Sequence, residues 1–174
     1  MEQQWYMLTV IGKDKPGLVA KVTAALFGIG CNLGETSMIR LGGNFTMMLM
    51  VQYDGNIAEL NTVITPVTNE LLLRCHVDAI DGQLHDHRAS DVRISVYGAD
   101  RTGIVSQVTN ALAQAGLDIF DLISDVGGTP QHPVYIMHIE GHAAQGLEVL
   151  QNALCTSIEQ GIEVHVAPID TIIG

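Results

Sequence analysis

The chain has 174 residues, 47% of them hydrophobic and 16% charged, with 8 Lys plus Arg against 19 Asp plus Glu and a net charge of −11. A chain of this length buries one sizeable core or two small ones. The acidic balance has the wrong sign for a surface that tracks phosphates, so no direct nucleic-acid partner is expected.

Taken in order, Trp5 to Ile11 is apolar and β-rich, as a buried strand is. Gly12-Lys13-Asp14-Lys15-Pro16-Gly17 then turns the chain into a helix from about Gly17 to Ile29. Asp14 suits the N-cap region, Pro16 the first helical turn, and Gly17 a place where another backbone comes close. Leu18, Val22, Leu26 and Ile29 recur at helical spacing, and Gly30 suits a C-cap. An extended stretch from Asn32 to Arg40, a turn at Gly42-Gly43-Asn44 and a returning strand Phe45 to Val51 make a hairpin. A helix is predicted from Ile57 to Leu73, with Pro66 expected to kink or divide it. Cys75 to Ile80 closes a β-α-β-β-α-β unit.

The pattern then repeats. Gly98-Ala99-Asp100-Arg101-Thr102-Gly103-Ile104-Val105 restates the first turn after a strand at Val92 to Val96. A helix from Gly103 to Gln114, Gly116 at the C-cap place, and extended stretches Leu117 to Val126 and Val134 to Ile139 follow, with a turn at Gly127-Gly128-Thr129-Pro130. The second hairpin needs a few more residues than the first, around Thr129 to Pro133. Gln145 to Glu159 is helical and Ile162 to Ala167 is the last strand. The reading is therefore α+β: two ferredoxin-like domains, each a four-stranded antiparallel sheet with two helices on one face. Domain 1 covers 1–82, a polar linker 83–90, and domain 2 covers 91–174. A half of this size is marginal alone, a physical reason for the copies to pack together.

Cys31, Cys75 and Cys155 are far apart without a CxxC, which reads as buried thiols in a reducing compartment. The start of the chain lacks a basic n-region with a cleavable apolar segment, and no apolar run is long enough for a bilayer. A cytoplasmic protein without a membrane partner is expected.

The turn at Asp14 to Gly17 carries the chemistry. A helix start offers unpaired N–H groups and the positive end of its dipole, where a small carboxylate is a natural guest. Gly12 and Gly17 would leave a ligand room to approach the backbone. Asn32 offers both an amide donor and a carbonyl acceptor, suited to the carboxylate and ammonium of a free amino acid. The same residues also fit a plain tight turn, with Asn32 only tolerating an awkward backbone.

Other groups carry less. His85-Asp86-His87 reads as a solvated linker, and His138, Glu140 and His142 as surface residues of one strand face, so no metal site is assigned. His132 in the longer hairpin stands where it would close over an interface ligand. Met47-Met48-Leu49-Met50 reads as a core strand. No Walker loop, G-x-G-x-x-G or G-x-S-x-G occurs, so neither a cofactor nor a catalytic residue is assigned and no enzyme is expected.

The run Asp14-Lys15-Pro16-Gly17-Leu18-Val19, the Ala/Val-rich helix after it and Gly30-Cys31-Asn32-Leu33 resemble the ACT domain. That resemblance implies regulatory modules that bind amino acids between two copies. Two copies and little else is similar to the glycine cleavage system transcriptional repressor family. The family resemblance implies a repressor that restrains a LysR-type activator through protein contacts and responds to glycine or a similar small amino acid. An amino-acid-binding regulatory subunit of a metabolic enzyme is the alternative, and a pure interaction module a third reading. By family position, Asp14, Pro16, Gly17, Leu18 and Asn32 are ligand-binding candidates in the first copy, and Gly103 and Asp118 in the second. Thr102 in place of proline and Asp118 in place of asparagine imply that the two sites differ. The two copies can satisfy each other internally or a homo-oligomer can do so; the sequence leaves both open.

Overall fold

In the computed structural model, the structure describes residues 4–81, 89–99, 102–129, 131–157 and 161–169. The chain divides into two compact units, Met1–Asp86 and His87–Gly174, each described here by itself.

The first unit runs β1 (Gln4–Lys13), α1 (Leu18–Phe27), β2 (Asn32–Leu41), β3 (Asn44–Tyr53), α2 (Ile57–Leu71), β4 (Arg74–Ile80). Its sheet order is β2-β3-β1-β4, with every neighbouring pair antiparallel. The second unit repeats this as β5 (Val92–Ala99), α3 (Ile104–Gln114), β6 (Leu117–Thr129), β7 (His132–Ala143), α4 (Leu147–Ser157), β8 (Ile162–Pro168), in order β6-β7-β5-β8. This is the split βαβ arrangement of the ferredoxin-like fold, twice.

Strand alternation places the cores. Tyr6, Leu8 and Val10 of β1 alternate with less buried residues and meet Phe45, Met47, Leu49 and Val51 of β3. Leu18, Val22 and Leu26 of α1 and Leu60 and Ile64 of α2 cover that face. In the second unit Val92, Ile94 and Val96 meet Met137 and Ile139 under Val108, Leu112, Leu150 and Leu154. Of the methionine run, Met47 is buried on the helix-covered face of β3, whereas Met48 and Met50 share the other face, where Met48 is 46% exposed and Met50 buried.

Several local expectations change. The N-cap of α1 is Gly17 and its C-cap Gly28, two residues before Gly30; Gly30 keeps the left-handed backbone. Ala115, not Gly116, caps α3. Pro66 is exposed and does not divide α2, since solvent can serve the carbonyl its missing N–H leaves free. A capping box between Asn56 and Glu59 starts that helix. Gly127 and Gly128 lie inside β6, paired with Val134 and Pro133, so the second hairpin reverses beyond Thr129. Its strands are 13 and 12 residues long against 10 and 10 in the first hairpin. The expected linker falls largely on residues outside the described set. Cys31 is buried and Cys75 half-buried, but Cys155 is exposed on α4. No described helix is long and apolar enough to cross a membrane.

Among the described residues, one that is not glycine sits against its backbone preference. Leu72, 79% exposed, takes a left-handed φ of 57° at the end of α2. The corresponding position after α4 is Gly161, at φ 92°. Their equivalence follows from Gly12, which lies against Leu73 and the Leu72 carbonyl as Gly98 lies against Ile162 and the Gly161 carbonyl. A left-handed L-residue costs about 1–2 kcal/mol, and glycine's larger unfolded-state entropy returns part of that. Leu72→Gly is expected to raise the stability of the first unit by about 0.5–1 kcal/mol, read from urea unfolding. An unchanged or lower midpoint would mean that the side chain makes a stabilising contact.

Candidate functional site

The turn between β1 and α1 is held by three interactions. Phe45 pairs with Gly12 and Asn44 with Lys13, which brings the β2–β3 hairpin beside the turn. The Asp14 N–H donates to the Gly43 carbonyl at 3.1 Å. The Asp14 carboxylate is ion-paired with Arg40 of β2. Asp14 therefore does not cap the helix; it ties the turn to the neighbouring strand.

Gly17 holds the N-cap place with φ 86° and no side-chain acceptor, and the first turn of α1 contains no acidic residue. The N–H groups at the start of the ten-residue helix are thus not satisfied by a capping side chain. A Cβ on Gly17 would meet nothing within 4 Å, so glycine is required there for its backbone angle and not for a close approach. Gly12 is the crowded one: its Cβ would lie 2.5 Å from Leu73 Cδ2, so its missing side chain makes room for the core and not for a ligand.

These elements frame a cleft of about 490 Å³. Asp14 to Ala20 form one wall, Met38 and Arg40 the other, and Phe45 the floor. Of the candidates in the first unit, Asp14, Pro16, Gly17 and Leu18 come together here. Asn32 does not. It begins β2 opposite Gln52, which pairs with Trp5 at the far end of β1, about 25 Å from the turn by strand rise. Its Nδ2 donates to Gln52 Oε1 at 3.4 Å.

Arg40 is absent from the candidates read from the sequence, and it supplies the cation paired with Asp14 in the site. Its signal was period-two placement two residues before the Gly42-Gly43 turn, which matters only once the hairpin register is known. Lys13, Lys15 and Arg40 together gather three of the chain's 8 basic residues around one turn.

The second unit repeats the glycine N-cap and lacks the Arg40 cation. Gly103 is the N-cap of α3 with φ 95° and no side-chain acceptor. Val126 pairs with Tyr135 where Arg40 pairs with Phe45, and Ser124 stands where Met38 does. Asp118 is exposed at the start of β6 opposite His142, at the other end of its strand from the hairpin. Asp100 and Arg101 lie outside the described residues.

His138 and His142 of β7 are separately engaged. Ser95 Oγ and His138 Nδ1 are 3.0 Å apart, and Arg93 pairs with Glu140 at 2.7 Å. His142 Nδ1 is 2.7 Å from Asp91 Oδ2, and the Ala143 N–H donates to Asp91 Oδ1 at 2.9 Å. The Ala143 hydrogen bond, aided by His142, holds the Asp91 carboxyl below its usual range. Among the described residues no group of three His, Cys, Asp or Glu is placed to hold a metal ion. His85-Asp86-His87 falls outside them. Burial pushes the thiols of Cys31 and Cys75 up.

Comparison with known proteins agrees with this architecture. The chain is 23% identical over 172 residues to the glycine cleavage system transcriptional repressor of Escherichia coli, covering 94% of this chain and 90% of that protein. A UPF0237 protein of Listeria innocua is 36% identical over 74 residues, which is 41% of this chain and 83% of its own. The crystal structure of an unknown protein from Galdieria sulphuraria superposes with a TM-score of 0.76 at 22% identity, covering 97% of this chain and 99% of that one. The ACT domain matches twice, at residues 5–84 and 90–167. The chain thus belongs to the ACT domain family.

Proposed function

We propose that this protein is a non-catalytic, cytoplasmic regulator that binds a small amino acid and represses glycine cleavage by contact with a LysR-type activator. The observation that carries the ligand half is the Asp14–Arg40 pair beside an uncapped helix start. A zwitterion matches that arrangement: its ammonium goes to Asp14, its carboxylate to Arg40 and the N–H groups of Leu18 and Val19. The transcriptional half is supported by similarity to a repressor along nearly the whole chain. Because Asn32 is remote from this cleft within its own unit, it serves the ligand from a second copy of the chain. Ligand binding would then favour one arrangement of units, and the activator binds only one of them.

The test is a thermal-shift screen against the common amino acids, confirmed by calorimetry. Glycine or serine is expected to lead, with roughly 2.7 kcal/mol of stabilisation at about 100 times the dissociation constant. Arg40→Ala is expected to weaken binding about tenfold or more, since a charge-assisted hydrogen bond is worth about 1.5–3 kcal/mol. The free variant should melt close to the parent, because Arg40 is largely exposed and surface pairs contribute about 0–1 kcal/mol. No shift with any amino acid would overturn the ligand assignment. A pull-down of the activator that glycine does not alter would overturn the repressor mechanism.

A further inference from the structure

The corner of the second unit where β5 ends carries a cleft of about 550 Å³. Register places Tyr97 directly opposite Glu163, and Ala99 opposite Val134. Since Val96 points into the core, Tyr97, Ala99, Val134 and Glu163 share the face turned away from the helices. The hairpin carrying His132 forms the rim, and the bare backbone of Gly161 forms one side.

The first unit builds the same corner differently. There Ile11 is opposite Arg74, and Leu72 occupies the place of Gly161. In the second unit the aliphatic side chain is a tyrosine, the cation is a carboxylate and the bulky leucine is gone. The side chain after the helix has been removed and the charge has reversed at one point of a repeated fold.

The groups left there suit one kind of guest. Tyr97 is held by edge contacts to His138 and His165, each with centroids 6.1 Å away. Glu163 Oε1 is 3.0 Å from His165 Nε2, and its other oxygen has no protein partner among the described residues. Among the described residues, no Lys or Arg lines the cleft. A carboxylate beside an aromatic ring attracts an organic cation through charge and through the ring's quadrupole. His132 adds a hydrogen-bonding group at the rim. We propose that this corner is a binding site for a primary ammonium or guanidinium group, distinct from the amino-acid cleft of the first unit and independent of that assignment.

The test uses the full chain with isotope-labelled tyrosine and histidine, followed by NMR during titration. The probes are n-butylammonium, methylguanidinium, neutral n-butanol and a short peptide bearing one lysine. Saturable shifts at Tyr97 and His132 are expected with the cations and not with butanol. Glu163→Gln should weaken them about tenfold. Gly161→Leu, which copies the backbone and side chain that the first unit tolerates at Leu72, should abolish them. Tighter binding of the free amine supports a small-molecule ligand, and tighter binding of the peptide supports a basic side chain on a partner. Equal shifts with butanol, unchanged affinity in Glu163→Gln, or no saturable shift with any cation would overturn the site.

Discussion

Phe45→Ala is expected to remove about 3–5 kcal/mol from the stability of the first unit. Phe45 is 1% exposed, pairs with Gly12 on the neighbouring strand and lies beneath the Asp14–Arg40 cleft. Truncation leaves a cavity that β1 and β3, both interior strands of the sheet, are poorly placed to close. The measurement is convenient, because the single tryptophan, Trp5, lies in β1 of the same unit. Its fluorescence during urea unfolding should show a lower midpoint at unchanged slope. A loss of less than about 1 kcal/mol would show that the site collapses around the missing ring. Phe45→Leu keeps most of the volume and should lose far less.

Gly141→Ala is expected to cost about 3 kcal/mol in the second unit, at the upper end of ordinary overpacking. The pairing of β6 with β7 shifts register between Ile119 and Asp121, and the bulge presses the β6 backbone onto Gly141. A Cβ there would overlap the Asp118 carbonyl oxygen and stand 3.0 Å from its carbon. Those are backbone atoms, so no side chain can swing aside. Hydrogen exchange of the β6 and β7 amides should quicken, and the unit should unfold at lower urea. Unchanged exchange at Ile119 and His142 would show that the bulge relaxes without loss.

Much of the fold could be read without coordinates because its signals are local. Leu18, Val22 and Leu26 repeat at helical spacing, and alternation along β1 marks Tyr6, Leu8 and Val10 as one face. The repeated turn announced two units. The misjudged details are those in which a residue answers to a neighbour remote in sequence. Gly12 resembles a ligand-clearing glycine until Leu73 is found against it. Gly127-Gly128 resembles a turn until β7 pairs along both residues. Asp14 resembles a cap until Arg40 takes its carboxylate.

The sequence by itself determined the α+β class, the βαββαβ order, its duplication and the place of the Gly17 and Gly103 turns. These follow from periodicity, from glycine's access to positive φ and from the repeat, all properties of short segments. Only the tertiary structure decided that Arg40 joins Asp14 at the first turn, that Val126 leaves the second without that charge, and that Asn32 lies at the far end of its sheet. The physical reason is register: strand pairing decides which side chains meet, and a shift of one residue turns every side chain to the opposite face.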